Sequence, residues 1–408
     1  MISNVTNAGV TFLTMILLAR LLTPQQYGLL AIYLTYSAVA TSVLSFSLDG
    51  SVSVSYFRRT SEELRVHVSS CIVMIGVFLL CLCASVLFLT DVFGIGLYLE
   101  PKWILLGLIC GALQSIINIK LALLMVKGTA TRYALFQIAQ TFMLACATVA
   151  LVYFSEMGWE SRAWAQFLIT LIFGLSAVLM MLRDGEAANK ISINEMRRAA
   201  NFGVPLIPHV CGAILFTSAD RFLVNGLLGS AATGLYQLAA QIGSIVMVVT
   251  DAINKVFAPW LYRHLEHTNQ EKRRRIVVLT YWYFGFALAL AAFFFMVPLN
   301  FALILGGEKY LNAGVLIPIF ILGQCIGGMY FMVVNYIFYV GNTGYLSIAT
   351  LISGVVGIVI VYILIEHLGL LGAGIAFPIS KSIHFLATWF ISSRLYPMPW
   401  LLRTKSQM

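Results

Sequence analysis

Runs of about 20 apolar residues recur along the whole chain, and they constrain the fold more than any other feature of the sequence. An α-helix of that length crosses the hydrocarbon core of a bilayer, which is about 30 Å thick. Hydrophobic residues make up 60% of the sequence and charged residues only 10%, whereas about 25% of the residues of a soluble domain are charged. The sequence therefore predicts an all-α polytopic membrane protein and excludes a soluble globular domain.

Polar and turn-forming residues divide the apolar runs into about twelve predicted transmembrane spans. Their approximate limits are residues 4–22, 27–47, 67–90, 103–126, 133–154, 164–182, 202–225, 232–257, 277–304, 311–340, 345–365 and 371–393. The stretch RDGEAANKISINEMRR separates the first six spans from the last six. We therefore expect an N-terminal six-helix lobe at 1–184, a cytoplasmic linker at 185–200, a C-terminal six-helix lobe at 201–395 and a cytoplasmic tail at 396–408.

The two predicted lobes share a short sequence pattern near their starts. Segment 21–29 reads Leu-Leu, five residues, Gly-Leu, and the same pattern returns in segment 227–235. Each occurrence joins an odd-numbered span to the next. Together with the even number of spans, it predicts two lobes related by a parallel pseudo-repeat around a central cavity, as in transporters built from repeated halves.

The distribution of basic residues predicts the orientation of the chain. Most Lys and Arg residues outside the spans fall in one of the two alternating sets of loops, and the other set holds only Arg20, Lys102, Arg162 and Lys309. Because cytoplasmic loops carry the excess of Lys and Arg, both termini are expected in the cytoplasm. The formal net charge of +9 is explained by these loops, so no nucleic-acid partner is expected.

The sequence predicts neither a metal site nor a cofactor. The seven cysteines lie in apolar segments, and their spacing matches neither a disulfide framework nor a zinc site. They are expected to pack as small apolar residues. We also expect no cleavable signal peptide, because no small-residue cleavage site follows the first apolar run.

A few charged residues remain inside the predicted spans. They are Asp49, Lys120, Asp220, Arg221, Asp251, Lys255 and Lys381. A charge at mid-membrane costs at least about 2.5–3.5 kcal/mol, so such residues usually face a cavity or a partner. Lys120 and Arg221 lie near span ends, where a long cationic side chain can instead reach the interface. Lys381 lies near the middle of the twelfth span, so this second interpretation does not fit it.

The eighth span carries a polar stripe. At about 100° per residue, five polar side chains fall on one helix face. They are Gln237, Gln241, Ser244, Asp251 and Lys255. A stripe this polar does not face lipid; it either packs against other helices through hydrogen bonds or lines an aqueous cavity, and we favour the cavity.

The seventh span places a histidine and a carboxylate on nearly the same face. His209 and Asp220 lie beyond Pro205, close to Pro208, and prolines favour a bend in the helix. A lone histidine in a span is more often a structural hydrogen-bonding group than a functional one. Asp220 and Arg221 project about 100° apart, so they need not pair with each other. The carboxylate is expected to face inward and the arginine to reach a cavity wall or the outer interface.

Three segments resemble a known family. Leu18–Leu34 (LARLLTPQQYGLLAIYL), Ser218–Ile242 (SADRFLVNGLLGSAATGLYQLAAQI) and Gly369–Ser380 (GLLGAGIAFPIS) are similar to the Wzx-type oligosaccharide flippases of O-antigen and polysaccharide biosynthesis. These flippases belong to the superfamily of multidrug, oligosaccharidyl-lipid and polysaccharide exporters. The resemblance covers essentially the whole chain, and its most specific part is the Asp220-Arg221 pair followed by Gly-Leu-Tyr at 234–236.

The resemblance implies a transporter of the bacterial inner membrane rather than an enzyme. Its implied substrate is an oligosaccharide linked to polyprenyl pyrophosphate, moved by alternating access, and its implied protein partners are a polysaccharide polymerase and a chain-length regulator. Candidate contacts to the substrate are Arg221, Lys255, Lys381, Gln237, Gln241 and Ser244. Candidate ion-coupling or counter-charge residues are Asp220, Asp251 and His209.

Two other functions stay open at this stage. A drug or small-cation exporter of the same superfamily would favour acidic cavity residues, and basic residues slightly outnumber acidic ones in the spans. An integral-membrane polysaccharide polymerase or ligase would need a sizeable outer loop with catalytic side chains. The richest outer loop, Tyr153–Trp164, is short.

Overall fold

The computed structural model describes residues 2–93, 98–188, 190–266, 269–296 and 306–401, and its regular structure over these ranges is helical, with no strand. The α-helices, in chain order, are α1 (Ile2–Leu21), α2 (Pro24–Ser45), α3 (Leu48–Arg58), α4 (Ser61–Phe93), α5 (Pro101–Val126), α6 (Ala130–Phe154), α7 (Glu160–Arg183), α8 (Ile193–Gly203), α9 (Ile207–Glu266), α10 (Gln270–Met296), α11 (Leu316–Val340) and α12 (Thr343–Leu395). Short 3-10 helices lie at Val204–Leu206 and Glu308–Ala313.

The longest helix, α9, is a helical hairpin. Gly229 has φ 85° and ψ 174°, which interrupts the helix. The hydroxyl of Tyr236 donates to Asp220 Oδ2 at 2.6 Å, although the two residues are 16 positions apart. In a straight helix that separation would be about 24 Å. The chain therefore folds back at Gly229, and α9 has two arms, 207–228 and 230–266.

The second long helix, α12, folds back in the same way at Gly369. This glycine has φ 58° and ψ −136°. Thr350 Oγ1 lies 3.2 Å from His384 Nε2, 34 residues further along, where a straight helix would place them about 51 Å apart. The arms of α12 are residues 343–368 and 370–395, and each corresponds to one predicted span.

The predicted fold class is confirmed. Over the described residues, nine helices are long and apolar enough to cross a membrane, or up to ten if a bent pair counts as one span, and the shorter apolar helix Val5–Leu21 precedes them. Among these nine helices, α9 and α12 are each counted once although each contains two predicted spans. When their arms are counted separately and Val5–Leu21 is included, the helices agree with the prediction of about twelve spans. The end of the ninth predicted span, at 297–304, lies outside the described residues.

The second predicted span, 27–47, corresponds to α2, and a further helix that the sequence did not indicate follows it. Phe46 and Ser47 adopt φ of 45° and 56°, a left-handed conformation that ends α2. The chain then resumes helix as α3. The start of α2 is well defined by a capping box, in which Thr23 Oγ1 accepts from the Gln26 amide at 3.3 Å.

The chain forms two compact units. The first unit comprises Met1–Ile214 and Gly229–Gly234, and the second comprises Leu215–Leu228 and Leu235–Met408. In the first unit, α5 packs against α2, α4 and α7. In the second unit, α11 packs against α10 and α12. The lobe and linker limits derived from the sequence stay predictions.

The predicted linker is held against the first unit by polar contacts. Lys120 on α5 is 0% exposed and lies 2.7 Å from carboxylate oxygens of both Asp184 and Glu186. Ser69 on α4 donates to the Ala188 carbonyl at 2.7 Å and accepts from its amide at 2.9 Å. Lys120 is therefore paired with two carboxylates of the segment that follows α7.

The repeated Gly-Leu pattern marks a close approach of two backbones in the first unit. A Cβ atom at Gly28 would lie 1.8 Å from the Ser230 carbonyl oxygen, and one at Gly234 would lie 1.9 Å from the Pro24 carbonyl oxygen. Only glycine allows this contact between α2 and the turn of α9. Gly28 and Gly234, one glycine from each copy of the pattern, thus lie at the same backbone contact.

We expect Gly28→Ala and Gly234→Ala to destabilise the protein by at least about 1–3 kcal/mol, the usual cost of overpacking. The matched control is Gly76→Ala on α4, where an added Cβ meets no atom within 4 Å and the helix gains stability. Thermal unfolding of the detergent-solubilised variants measures the difference. Equal melting temperatures for Gly234→Ala and Gly76→Ala would contradict the close backbone contact.

Candidate functional site: a charged cavity in the second unit

A cavity of about 260 Å³ lies in the second unit. Both arms of α9, together with α11 and the second arm of α12, contribute its lining side chains. They are Phe216, Asp220, Arg221, Gln237, Ala240, Gln241, Ser244, Met247, Phe320, Gln324, Phe377 and Lys381.

The hairpin of α9 brings the charged pair of its first arm next to polar residues of its second arm. Asp220 accepts the hydrogen bond from Tyr236, and Arg221 Nε donates to Gln237 Oε1 at 2.8 Å. Arg221 Nη1 also donates to Asp220 Oδ1 at 3.1 Å. The two neighbouring charges, which the sequence placed about 100° apart, therefore do pair, and both line the cavity.

Lys381 lies between two aromatic rings. Its ammonium is 4.4 Å from the ring centroid of Phe216 and 5.4 Å from that of Phe377. Such cation–π contacts hold an ammonium in an apolar setting without neutralising it. Over the described residues, no carboxylate lies within ion-pair distance of Lys381. The Lys381 charge is therefore available to a ligand.

The lining combines one excess positive charge with neutral hydrogen-bonding groups. Arg221 and Lys381 are cationic, and Asp220 alone among the lining residues is acidic. The amides of Gln237, Gln241 and Gln324 both donate and accept hydrogen bonds. Such a lining suits a ligand that carries both an anionic group and uncharged hydroxyl groups.

The polar stripe of the eighth predicted span divides into two parts. Gln237, Gln241 and Ser244 line the cavity. Asp251 and Lys255 are not among the lining residues; they form an ion pair at 2.5 Å, with side chains 42% and 41% exposed. The side chain of His209 lies outside the part of the structure that is described.

Sequence reasoning missed two aromatic residues that line the cavity and one that bonds to a lining residue. Tyr236 lies within one of the segments that resemble known flippases, but nothing in the sequence indicated its bond to Asp220. Phe216 and Phe377 each lie four positions before a charged lining residue, so helical spacing places each on the face of that residue. This spacing is the signal that would have placed Phe377 on the face of Lys381, but it does not bring Phe216 to Lys381.

The described residues hold no group of three or more His, Cys, Asp or Glu side chains that could bind a metal ion. The polar and aromatic features of the cavity are the charges, amides and rings of its lining residues. Fold and cavity together define a multi-pass helical membrane protein with a cationic internal site.

Comparison with known proteins places this chain within one family. The model of a family described as "Polysaccharide biosynthesis protein" matches residues 1–265, and the chain belongs to that family. A curated relative, Lsg locus putative protein 1 of Haemophilus influenzae, is 24% identical over 367 residues, which cover 87% of each chain.

Two solved structures share the fold. A multidrug resistance MATE family transporter of the MOP superfamily, in an inward-facing conformation, superposes with a TM-score of 0.73 at 13% identity, over 98% of this chain and 96% of that one. Lipid II flippase MurJ, in an inward closed conformation, superposes with a TM-score of 0.74 at 14% identity, over 96% and 86% of the two chains.

Proposed function

We propose that this protein is a flippase for lipid-linked oligosaccharides. It moves repeat units linked to polyprenyl pyrophosphate from the cytoplasmic to the outer leaflet of the bacterial inner membrane, for the O-antigen of lipopolysaccharide or another surface polysaccharide. The single observation that carries this proposal is the cavity in the second unit, where Lys381 and Arg221 face amides and aromatic rings. The family and the fold shared with a lipid II flippase support it.

The chemistry of the cavity matches the parts of such a substrate. The pyrophosphate is anionic, and charge-assisted hydrogen bonds from Lys381 and Arg221 would bind it. Sugar hydroxyls would bond to the amides of Gln237, Gln241 and Gln324. Asp220 is proposed as a counter-charge that holds Arg221 in place, because it already pairs with it.

A flippase of this kind lowers the free-energy barrier that a polar head group meets when it crosses the bilayer. Unsatisfied polar groups cost several kcal/mol each in hydrocarbon, so a pyrophosphate-linked sugar chain does not cross unaided. A polar cavity replaces the hydration of the head group while the lipid tail stays in the bilayer. Alternating access would open the cavity to each leaflet in turn, with a bias of a few kcal/mol from substrate or ion binding.

The other parts of the proposal concern topology and partners. The basic loops support cytoplasmic termini. A polysaccharide polymerase and a chain-length regulator would receive the translocated units. Lys255 as a head-group contact, and Asp251 and His209 as ion-coupling groups, stay predictions. The protein acts as a transporter, not as an enzyme.

Deleting the gene is expected to abolish surface polysaccharide and to accumulate lipid-linked repeat units on the cytoplasmic leaflet. Surface polysaccharide is measured by immunoblotting, and the lipid-linked pool by mass spectrometry. Labelling of intact spheroplasts with a membrane-impermeant sugar reagent then shows on which leaflet the lipid-linked repeat units lie. The wild-type gene, returned at native expression, is the control and should restore both measurements.

The same experiment separates the alternatives. A polymerase or ligase would leave repeat units on the outer leaflet, where the reagent labels them. A drug exporter, for which the shared fold with a multidrug transporter is the supporting observation, would leave polysaccharide normal and lower drug resistance. Either result would contradict the flippase proposal.

A further inference from the structure

A second, much smaller cavity lies in the first unit, and a buried arginine lines it. Arg162 belongs to a set of residues that the sequence assigned to outer loops. The structure instead places it in the first turn of α7, with only 8% of its surface exposed. The cavity measures about 20 Å³, and three threonines, Thr11, Thr14 and Thr141, share its lining with Arg162.

The guanidinium of Arg162 is held on one side and unsatisfied on another. Its Nη1 donates to Gln166 Oε1 at 3.4 Å. Gln166 is itself oriented by a bond from its Nε2 to Ser37 Oγ at 2.7 Å. The Nε atom of Arg162 is buried and has no hydrogen-bond partner. Part of the guanidinium is thus positioned while one donor is left for a ligand.

No counter-charge balances Arg162 within the described part of the chain. None of the ion pairs formed there includes it, and the titratable groups that face it are the phenol of Tyr33 and the thiol of Cys110. An arginine keeps its proton in proteins, so this site cannot become neutral by losing it. A buried cation without a counter-charge is costly, and an anion in the adjoining cavity would remove that cost.

The size of the cavity restricts which anion fits. A volume of about 10–15 Å³ is enough for one water molecule, so about 20 Å³ accepts one water molecule or one monatomic ion and is too small for a pyrophosphate or a sugar. The hydroxyls of Thr14 and Thr141 donate to the carbonyls of Val10 and Gln137. Because a hydroxyl rotates, each can turn its proton toward an anion.

We propose that this cavity binds one small monovalent anion of halide size, held by the Arg162 guanidinium and the threonine hydroxyls. The ion neutralises Arg162 and connects α1, α6 and α7, which supply the lining. In the first unit α6 packs against both α1 and α7. This site is separate from the cavity in the second unit, and it binds an inorganic ion rather than the transported substrate.

Thermal unfolding of the purified protein tests the site without any measurement of transport. The melting temperature of the wild type is expected to rise saturably as sodium chloride replaces sodium gluconate at constant ionic strength, because gluconate is too large for the cavity. Arg162→Gln should lose this dependence. The matched control, Arg183→Gln, removes an exposed arginine at the other end of α7 and should keep it.

Crystals of the wild type grown in bromide provide a second measurement, which does not depend on whether Arg162→Gln folds. An anomalous peak next to Arg162 and the threonines is expected. The proposal is overturned if chloride and gluconate give the same wild-type melting temperature, or if bromide is absent from this cavity. Since neither measurement involves flipping, a negative result here leaves the proposed function untouched.

Discussion

Lys381→Met is expected to lower translocation of lipid-linked oligosaccharide by about 10- to 100-fold while the protein still folds and inserts. A hydrogen bond to a charged group contributes about 1.5–3 kcal/mol, and each 1.36 kcal/mol corresponds to about a factor of ten. Methionine keeps the length of the side chain and its contacts with Phe216 and Phe377. The change therefore removes the charge and little else.

The matched control for this variant is Lys102→Met. Lys102 is a surface lysine, 63% exposed, that pairs with Glu100. Translocation is measured as surface polysaccharide in the deletion strain at native expression, with membrane insertion checked by immunoblotting. Normal polysaccharide from Lys381→Met would remove this ammonium from the proposed mechanism, whereas a loss in both variants would indicate a general effect of losing a lysine.

The transmembrane architecture was predictable because the length and hydropathy of each segment depend only on local sequence. The bilayer requires about 20 apolar residues per helix, and glycines mark where α9 and α12 fold back. The helical period also predicts which side chains share a face. That period grouped Gln237, Gln241 and Ser244, and the structure places all three on one cavity.

The helical period does not predict how far along a helix the cavity-lining residues extend. Asp251 lies on the predicted face but two turns beyond Ser244, and the structure places it in an exposed pair with Lys255. The extent of a cavity is set by neighbouring helices, which a pattern on one helix does not report. The contact of Phe216 with Lys381 could not be predicted for the same reason, since Phe216 comes from a different helix.

Pairing between distant residues was the least predictable feature. The bond between Tyr236 and Asp220 depends on how the two arms of α9 align, and Lys120 finds its carboxylates 64 and 66 residues along the chain. Arg162 was assigned to a loop because the predicted span began at 164, whereas α7 begins at Glu160. Helix limits are uncertain by a few residues in sequence-based prediction. Here a difference of a few residues at the start of α7 placed Arg162 outside the predicted span, so its burial was not predicted.

Lys120→Met is expected to destabilise the protein by about 3–5 kcal/mol, the cost of breaking a buried ion pair by removing one partner. Lys120 is fully buried, and Glu186 is only 3% exposed. Without the ammonium, Glu186 keeps a bond from Lys127, which is 29% exposed, so the effect should lie near the lower end of that range. The hydrogen bond from Lys120 also holds the pKa of Asp184 below its ordinary value. This contribution to stability is therefore present at neutral pH and is lost as the pH falls through the lowered pKa.

A double variant separates the buried charge from a simple packing defect. Lys120→Met with Glu186→Gln removes both the cation and the buried carboxylate that loses its contact with Lys120, so it should be more stable than Lys120→Met alone. Unfolding of the detergent-solubilised proteins measures the coupling, because contacting residues depart from additivity by about 0.5–3 kcal/mol. The exposed control Lys102→Met should unfold like the wild type. If the two changes simply add, the stabilisation does not come from the pairing of Lys120 with Glu186, and the segment after α7 is held by Ser69 and its backbone bonds instead.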